Sequence, residues 1–212
     1  MIRSTPAALV LAALAVSPAF AATYVVRPDG TGDFPTIQAA ISAAVDGDVI
    51  ELGDGVFTGG GNRDLDYMGK AITIRSESGI PATCVIDCEG SEADPHRGFF
   101  FHSAEGLDSE LAAVTVRNGY APAEPTGFSD GGGVFCYSGS SPTIRECILE
   151  NNYAGSGGAI SFYDYSTARL LNCTIRWNAA GGGAGIVCDD LSSPTISGCT
   201  IIETRPRGAV AG

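Results

Sequence analysis

Cys136, Phe162 and Cys188 stand 26 residues apart, and so do Cys147, Cys173 and Cys199. A fixed period of this length narrows the possible folds more than any composition figure, because it means one structural unit laid down repeatedly. Other positions keep the phase. Val134, Ile160 and Ile186 align, as do Ile144, Leu170 and Ile196, while Asn152 and Asn178 match and Thr204 takes the third place. The tetrapeptide Ser-Pro-Thr-Ile occurs at 141–144 and again at 193–196, which is two periods later.

Within each unit the apolar spacing is two, as in Val134-Phe135-Cys136, Ile160-Ser161-Phe162 and Ile186-Val187-Cys188, so these segments read as strands with one buried face. Each unit holds about three of them. The first follows a glycine pair, the second is the Thr-Ile after Ser-Pro, and the third is Cys-Ile-Leu or Cys-Thr-Ile. Three short strands cannot bury a face alone, but equivalent strands stacked in parallel build a continuous core. No 3.6-residue periodicity runs through a unit, which excludes leucine-rich and helical repeats. A parallel β-helix of ~26-residue turns remains.

Earlier turns can be read backwards from this frame. Val114 to Gly119 resembles Cys173 to Asn178, and Arg97-Gly98-Phe99-Phe100-Phe101 takes the glycine-plus-strand part. Val114 lies 33 residues before Cys147, so the Pro- and Gly-rich segment 121–130 is expected to be a loop extruded at a corner. Ile72 to Arg75 and Cys84 to Asp87 supply strands of a preceding turn. This makes the mature chain about five turns long, with an N-terminal cap and first strands over 22–71 and the β-helix turns over 72–212.

The chain opens with Arg3, a short apolar run, and Ala19-Phe20-Ala21, an A-x-A pattern that marks 1–21 as a Sec signal peptide. The run of ~10 apolar residues falls short of the ~20 needed to cross a bilayer, and no later segment is long enough. The expected location is secreted, periplasmic or cell-surface, with no membrane span in the mature chain. Twenty-four acidic against 12 basic residues give a net charge of −12, which repels phosphate backbones and argues against nucleic acid as a partner. Neutral sugars and Ca²⁺ are compatible with that charge, whereas an anionic polymer would need a bridging cation or a basic patch.

Residues 24–57 carry Asp29-Gly30-Thr31-Gly32-Asp33-Phe34, Thr36-Ile37-Gln38 with Ala40-Ile41, Gly47-Asp48 before a strand, and Gly55-Val56-Phe57. This stretch resembles the N-terminal opening of the pectin lyase-like superfamily, shared by pectin methylesterases and secreted right-handed β-helix proteins. The repeats are similar to those of the same group and of polymorphic outer-membrane proteins. The resemblance implies an all-β, right-handed parallel β-helix. The residues themselves predict a short capping helix after Pro35 and Thr36, with Ile37, Ala40, Ile41 and Ala44 on one face and Gly47 able to end it. The superfamily's catalytic signatures do not accompany the fold. The Gln-Ala-Val-Ala-Leu, Asp-Phe-Ile-Phe-Gly and Leu-Gly-Arg-Pro-Trp segments of pectin methylesterases do not occur, nor do the Trp-Ile-Asp-His and Arg-x-Pro-x-x-Arg signatures of pectate lyases.

Several residues are candidates for chemistry. Asp164 and Asp190 are one period apart and Asp189 is adjacent, so their carboxylates can stack and invite Ca²⁺ or a shared proton, or else point into solvent at a turn. Pectate lyases, by the resemblance, place Ca²⁺ on the corresponding sheet. Tyr137 and Tyr163 are in register on the outward side, suited either to sugar rings or to a cross-rung ladder. Cys147, Cys173 and Cys199 read as an inward stack of free thiols, since rung spacing of ~4.8 Å exceeds the ~3.8 Å Cβ separation of a disulfide. Cys136 and Cys188 are kept apart by Phe162, and Cys84 could pair with Cys88 only if 85–87 turned back. Asn152 and Asn178 read as rungs of a ladder that satisfies backbone groups at a corner. His96, His102, Arg117 and Arg176 find no nucleophile or base as partner, and the histidines fall in no Zn²⁺ spacing with the cysteines.

No catalytic residue is identified. Two functions fit: a secreted or surface β-helix that binds polysaccharide or a cell-surface glycan or serves adhesion, or a pectin lyase-like carbohydrate-active enzyme, foremost a Ca²⁺-assisted polysaccharide lyase with Asp164, Asp189 and Asp190 as metal ligands. The final residues 207–212 read as the start of another turn, which predicts that the chain is part of a longer protein.

Overall fold

The computed structural model describes residues 21–121 and 129–206. Most of the expected signal peptide, most of the expected 121–130 loop and the final residues 207–212 lie outside the described residues. The chain coils as a right-handed parallel β-helix whose strands line up in register, turn upon turn. The first sheet runs through Thr23–Val26, Val49–Leu52, Thr73–Ser76, Glu110–Ala112, Thr143–Arg145, Arg169–Leu171 and Thr195–Ser197. The second comprises Gly55–Phe57, Cys84–Asp87, Thr115–Arg117, Ile148–Glu150, Thr174–Arg176 and Thr200–Ile202. The third comprises Leu65–Asp66, Phe99–Phe101, Val134–Cys136, Ile160–Phe162 and Ile186–Cys188. A small fourth sheet of Tyr153–Ser156, Ala179–Gly182 and Arg205–Pro206 fills the corner between the second and third.

The first sheet has seven strands, so the coil makes about seven turns rather than the five read from the repeats. The extra turns lie in 22–71, whose strands join all three main sheets. They escape a search at one period because successive inward positions Ile50, Ile74, Leu111 and Ile144 are 24, 37 and 33 residues apart. The step is 26 from Tyr24 to Ile50, is then lost, and settles at 26 again from Ile144 through Leu170 to Ile196.

Inward columns make the core. Ile50, Ile74, Leu111, Ile144 and Leu170 are fully buried in one column, and Ile86, Val116, Leu149 and Ile175 in the next. Each such side chain contributes roughly 1.5–3 kcal/mol of transfer free energy. Tyr67, Phe99 and Phe101 fill the wide interior of the early turns, with ring centroids of Tyr67 and Phe101 4.6 Å apart. The Tyr67 hydroxyl donates to Glu110 O at 2.7 Å, which removes the penalty of a buried phenol.

The helix spans Ile37–Ala43, with Thr36 as N-cap accepting from Ala39 N, and it ends at Ala44, three residues before Gly47. Ile37, Ala40, Ile41 and Ala44 are buried against the strands at 23–26, 49–52 and 65–66, so the helix closes the first turn. At the last described turn the same inward columns are open: Ile196 is 42% and Ile201 53% exposed. No helix among the described residues is long and apolar enough to cross a membrane.

Corners between the first and second sheets turn on one left-handed residue each, namely Ala113, Glu146, Asn172 and Gly198. Inside the next corner, Asn152 Nδ2 donates to Val116 O and its Oδ1 accepts from Gly119 N. Asn178 Nδ2 donates to Leu149 O and Arg176 O, and its Oδ1 accepts from Asn152 N, so each amide ties neighbouring turns together. The thiols of Cys147, Cys173 and Cys199 donate to the carbonyls of Arg145, Leu171 and Ser197. All seven cysteines are free. The Cys173 thiol is pushed well up, first by its contact with Cys147 and then by burial; burial pushes Cys84 up to about 12.

Candidate functional site

Because side chains alternate across a strand, each sheet has an outward face, and parallel register stacks like positions into columns. On the third sheet one outward column is Asp66, Phe100, Phe135, Ser161 and Val187. Continuing the register two residues further gives a second column of His102, Tyr137, Tyr163 and Asp189. Phe100 and Phe135 stack at 5.4 Å, Phe100 and His102 at 4.1 Å, and Tyr137 and Tyr163 at 6.0 Å with an interplanar angle of 24°. The tyrosines thus lean on each other while both remain partly exposed.

Arg97 crosses this face. Its guanidinium carbon sits 4.9 Å from the Phe100 ring centre and 5.2 Å from that of Phe135, and Nη2 donates to Asp130 O at 3.1 Å. Phe135, although outward, is therefore only 1% exposed. Burial lowers Arg97 to about 10, with Asp64 and Asp130 opposing the shift.

Beside Arg97 opens a cleft of about 130 Å³ lined by Asp130, Ser156, Ser161, Tyr163, Val187 and Asp189. Asp130 is 7% exposed, and its carboxyl is raised above the ordinary carboxylate range by burial, opposed by Arg97 and reinforced by Asp189. The Tyr163 phenol is raised by desolvation and then by Asp190, Asp189 and Asp130. Ser161 is 1% exposed, and among the described residues its Oγ has no hydrogen-bond partner. A buried hydroxyl left unmatched costs about 1–3 kcal/mol, so this wall of the cleft is chemically incomplete.

Asp164 and Asp190 do fall in register, one period apart, but both occupy left-handed turn positions, with φ 54° and 45°. Asp189 turns its Oδ1 back to the backbone N–H of Asp190 at 2.8 Å, and both residues of that pair are exposed. Among the described residues no group of three His, Cys, Asp or Glu side chains is placed to hold a metal ion.

The remaining polar residues acquire partners that spacing alone did not give. His96 Nδ1 lies 2.5 Å from Asp64 Oδ2 and Nε2 3.2 Å from Asp94 Oδ1. His102 Nε2 lies 3.3 Å from Asp66 Oδ2. Arg117 pairs with Asp87 at 2.9 Å and Arg176 with Glu150 at 2.7 Å. Asp130 and Ser161 were not singled out in the sequence. The signal for Ser161 was present, as a polar residue where the neighbouring strand carries Phe135; none existed for Asp130, which enters the face from a corner.

Residues 60–211 match the family model of the right-handed β-helix region. The chain is similar to a solved pectin methylesterase from Aspergillus niger, at 14% identity and a TM-score of 0.45, covering 92% of this chain and 69% of that one. It is also similar to a pectin methylesterase solved in complex with hexasaccharide VII, at 14% identity and a TM-score of 0.47, covering 89% and 68%. No curated protein sequence matches it.

Proposed function

We propose, from the premise that the chain belongs to the right-handed β-helix family, that it is an exported protein whose third sheet binds a neutral polysaccharide. The observation that carries this reading is the buried Ser161 hydroxyl, without a hydrogen-bond partner among the described residues, in a cleft shared with Asp130, Tyr163 and Asp189. A ligand rich in hydroxyls supplies what each wall wants: a partner for Ser161, donors to the Asp189 carboxylate, and an acceptor or donor for the Asp130 carboxyl. The apolar face of a sugar ring suits the flank formed by Tyr137 and Tyr163. The net charge of −12 disfavours anionic chains and leaves neutral ones unaffected.

The test is affinity electrophoresis through gels containing β-glucan, xyloglucan or galactomannan, with polygalacturonate plus and minus Ca²⁺ as the anionic comparison. Retardation in a neutral gel, weakened at least tenfold by Tyr163→Ala and by Asp189→Ala, is the expected result. Equal mobility of both variants and the native chain in every retarding gel would overturn the assignment. Unsaturated product from polygalacturonate would replace it with a lyase.

A further inference from the structure

Trp177 is the one tryptophan of the chain, and it occupies a position that its chemistry disfavours. It sits at the corner after the second sheet with φ 57°, in the left-handed region. The same corner carries Asn118 at 55° and Asn151 at 54° in the two preceding turns. Asparagine enters that region readily, whereas a bulky side chain there is an outlier that calls for a reason. Packing does not supply one, because Trp177 is 47% exposed.

Neighbouring side chains hold the indole in a fixed pose. Glu150 Oε2 accepts from Arg176 Nε at 2.8 Å and faces its Nη2 at 2.7 Å. The guanidinium carbon of Arg176 then lies 4.3 Å from the centre of the Trp177 ring. From the following turn, Glu203 Oε2 accepts the indole Nε1–H at 2.7 Å. Both rotatable bonds of the side chain are thus set, one face is covered by a cation, and much of the ring surface stays open. Exposed Asn151 and Glu203 and the outward Ile202, 44% exposed, surround it. A rigid aromatic plate with a polar rim is arranged in advance for a flat partner of mixed character.

We propose that Trp177 is a sugar-binding platform, separate from the third-sheet cleft, on which the C–H face of a neutral pyranose ring stacks while its hydroxyls reach Asn151 and Glu203. The ligand class rests on the glycan reading of the third sheet; the site itself does not. The strand Ala179–Gly182 and the corner at 183–185 separate Trp177 from the turn that ends at Asp189. Ser156, at the end of the strand beside Ala179–Gly182, already lines the cleft. A chain-like glycan that crosses the fourth sheet therefore engages both sites, and a short oligosaccharide engages one.

All tryptophan fluorescence of the protein originates from Trp177, so the site reports on itself. Titration with soluble β-glucan, xyloglucan and galactomannan should give a saturable change in emission with at least one of them. Trp177→Asn, which installs the residue found at the two preceding turns, should fold as judged by circular dichroism, melt no lower than the native chain, and bind that glycan at least tenfold more weakly by affinity electrophoresis. Trp177→Phe should recover part of the binding. Emission should still respond in Asp189→Ala, where the third-sheet cleft alone is damaged. A glycan that retards the protein without altering its emission, or Trp177→Asn binding like the native chain, would overturn the proposal while leaving the third-sheet reading intact. An unaltered affinity in Asp189→Ala with a persistent emission change would do the reverse. An emission change that follows protein concentration without any glycan, with a dimer in sedimentation, would assign the plate to a second copy instead.

Discussion

Along the second sheet the outward column Asp87, Arg117, Glu150 and Arg176 alternates in sign from rung to rung, and its ion pairs close at 2.7–2.9 Å. Along the third sheet the column Phe100, Phe135, Ser161 and Val187 begins in stacked rings and reaches a hydroxyl with no partner among the described residues. Both columns come from the same ladder geometry, at the same rung spacing and in the same turns. One satisfies itself and the other does not. Stacking equivalent positions therefore does not decide whether a face is structural; the residual valence of the stacked groups does.

Removing Glu150 should have the largest effect, because the paired face depends on it. Glu150→Ala leaves the Arg176 guanidinium, whose side chain is 34% exposed, without its acceptor. Chemical denaturation should register a loss of about 1–3 kcal/mol, discounted for solvent at the arginine. A loss under about 0.5 kcal/mol, the level of an ordinary surface change, would erase the distinction between the two faces.

Ser161→Ala on the other face should act in the opposite sense. It deletes an unmatched polar atom, so stability should hold or rise by up to about 1 kcal/mol while glycan retardation weakens. Destabilisation with unchanged binding would mean that the hydroxyl serves the fold.

Asp130→Asn should give the smallest effect and the most specific one. Burial raises the folded pKa of Asp130 above its ordinary value of 3.8. A carboxyl of this kind stabilises the fold while protonated, below the unfolded pKa, and that contribution is lost as pH rises through the folded pKa. The native chain should therefore fall in melting temperature relative to Asp130→Asn as pH increases upward from about 3.8. A constant difference across that window would place the carboxyl in effective contact with water.

How much of this was legible in the sequence follows from where regularity holds. Val134, Ile160 and Ile186 announce their stacking because an inward position admits few residue types and the step between them is constant. The first two strands of the first sheet, Thr23–Val26 and Val49–Leu52, are equally regular in space, yet the irregular 24- and 37-residue steps that follow hide them from a fixed period. The cleft was illegible for a different reason. Asp130 comes from the side of the sheet and meets Ser161 and Asp189 at separations that are no multiple of the repeat. Trp177 was already aligned with Asn118 by its neighbours, but its exposure and the grip of Arg176 and Glu203 are properties of the folded corner. Asp164 and Asp190 mark the limit of register: it predicts that they stack and says nothing of the left-handed turn positions they occupy.

The helix laid across the first turn makes the solenoid directional. Its apolar side packs on the strands at 23–26, 49–52 and 65–66, while each later described rung offers its neighbour both backbone partners and an apolar floor. A polypeptide emerging from the ribosome amino end first can therefore wind onto a foundation that is already closed, adding coils in the order of synthesis. Growth of the ladder and growth of the chain share one arrow.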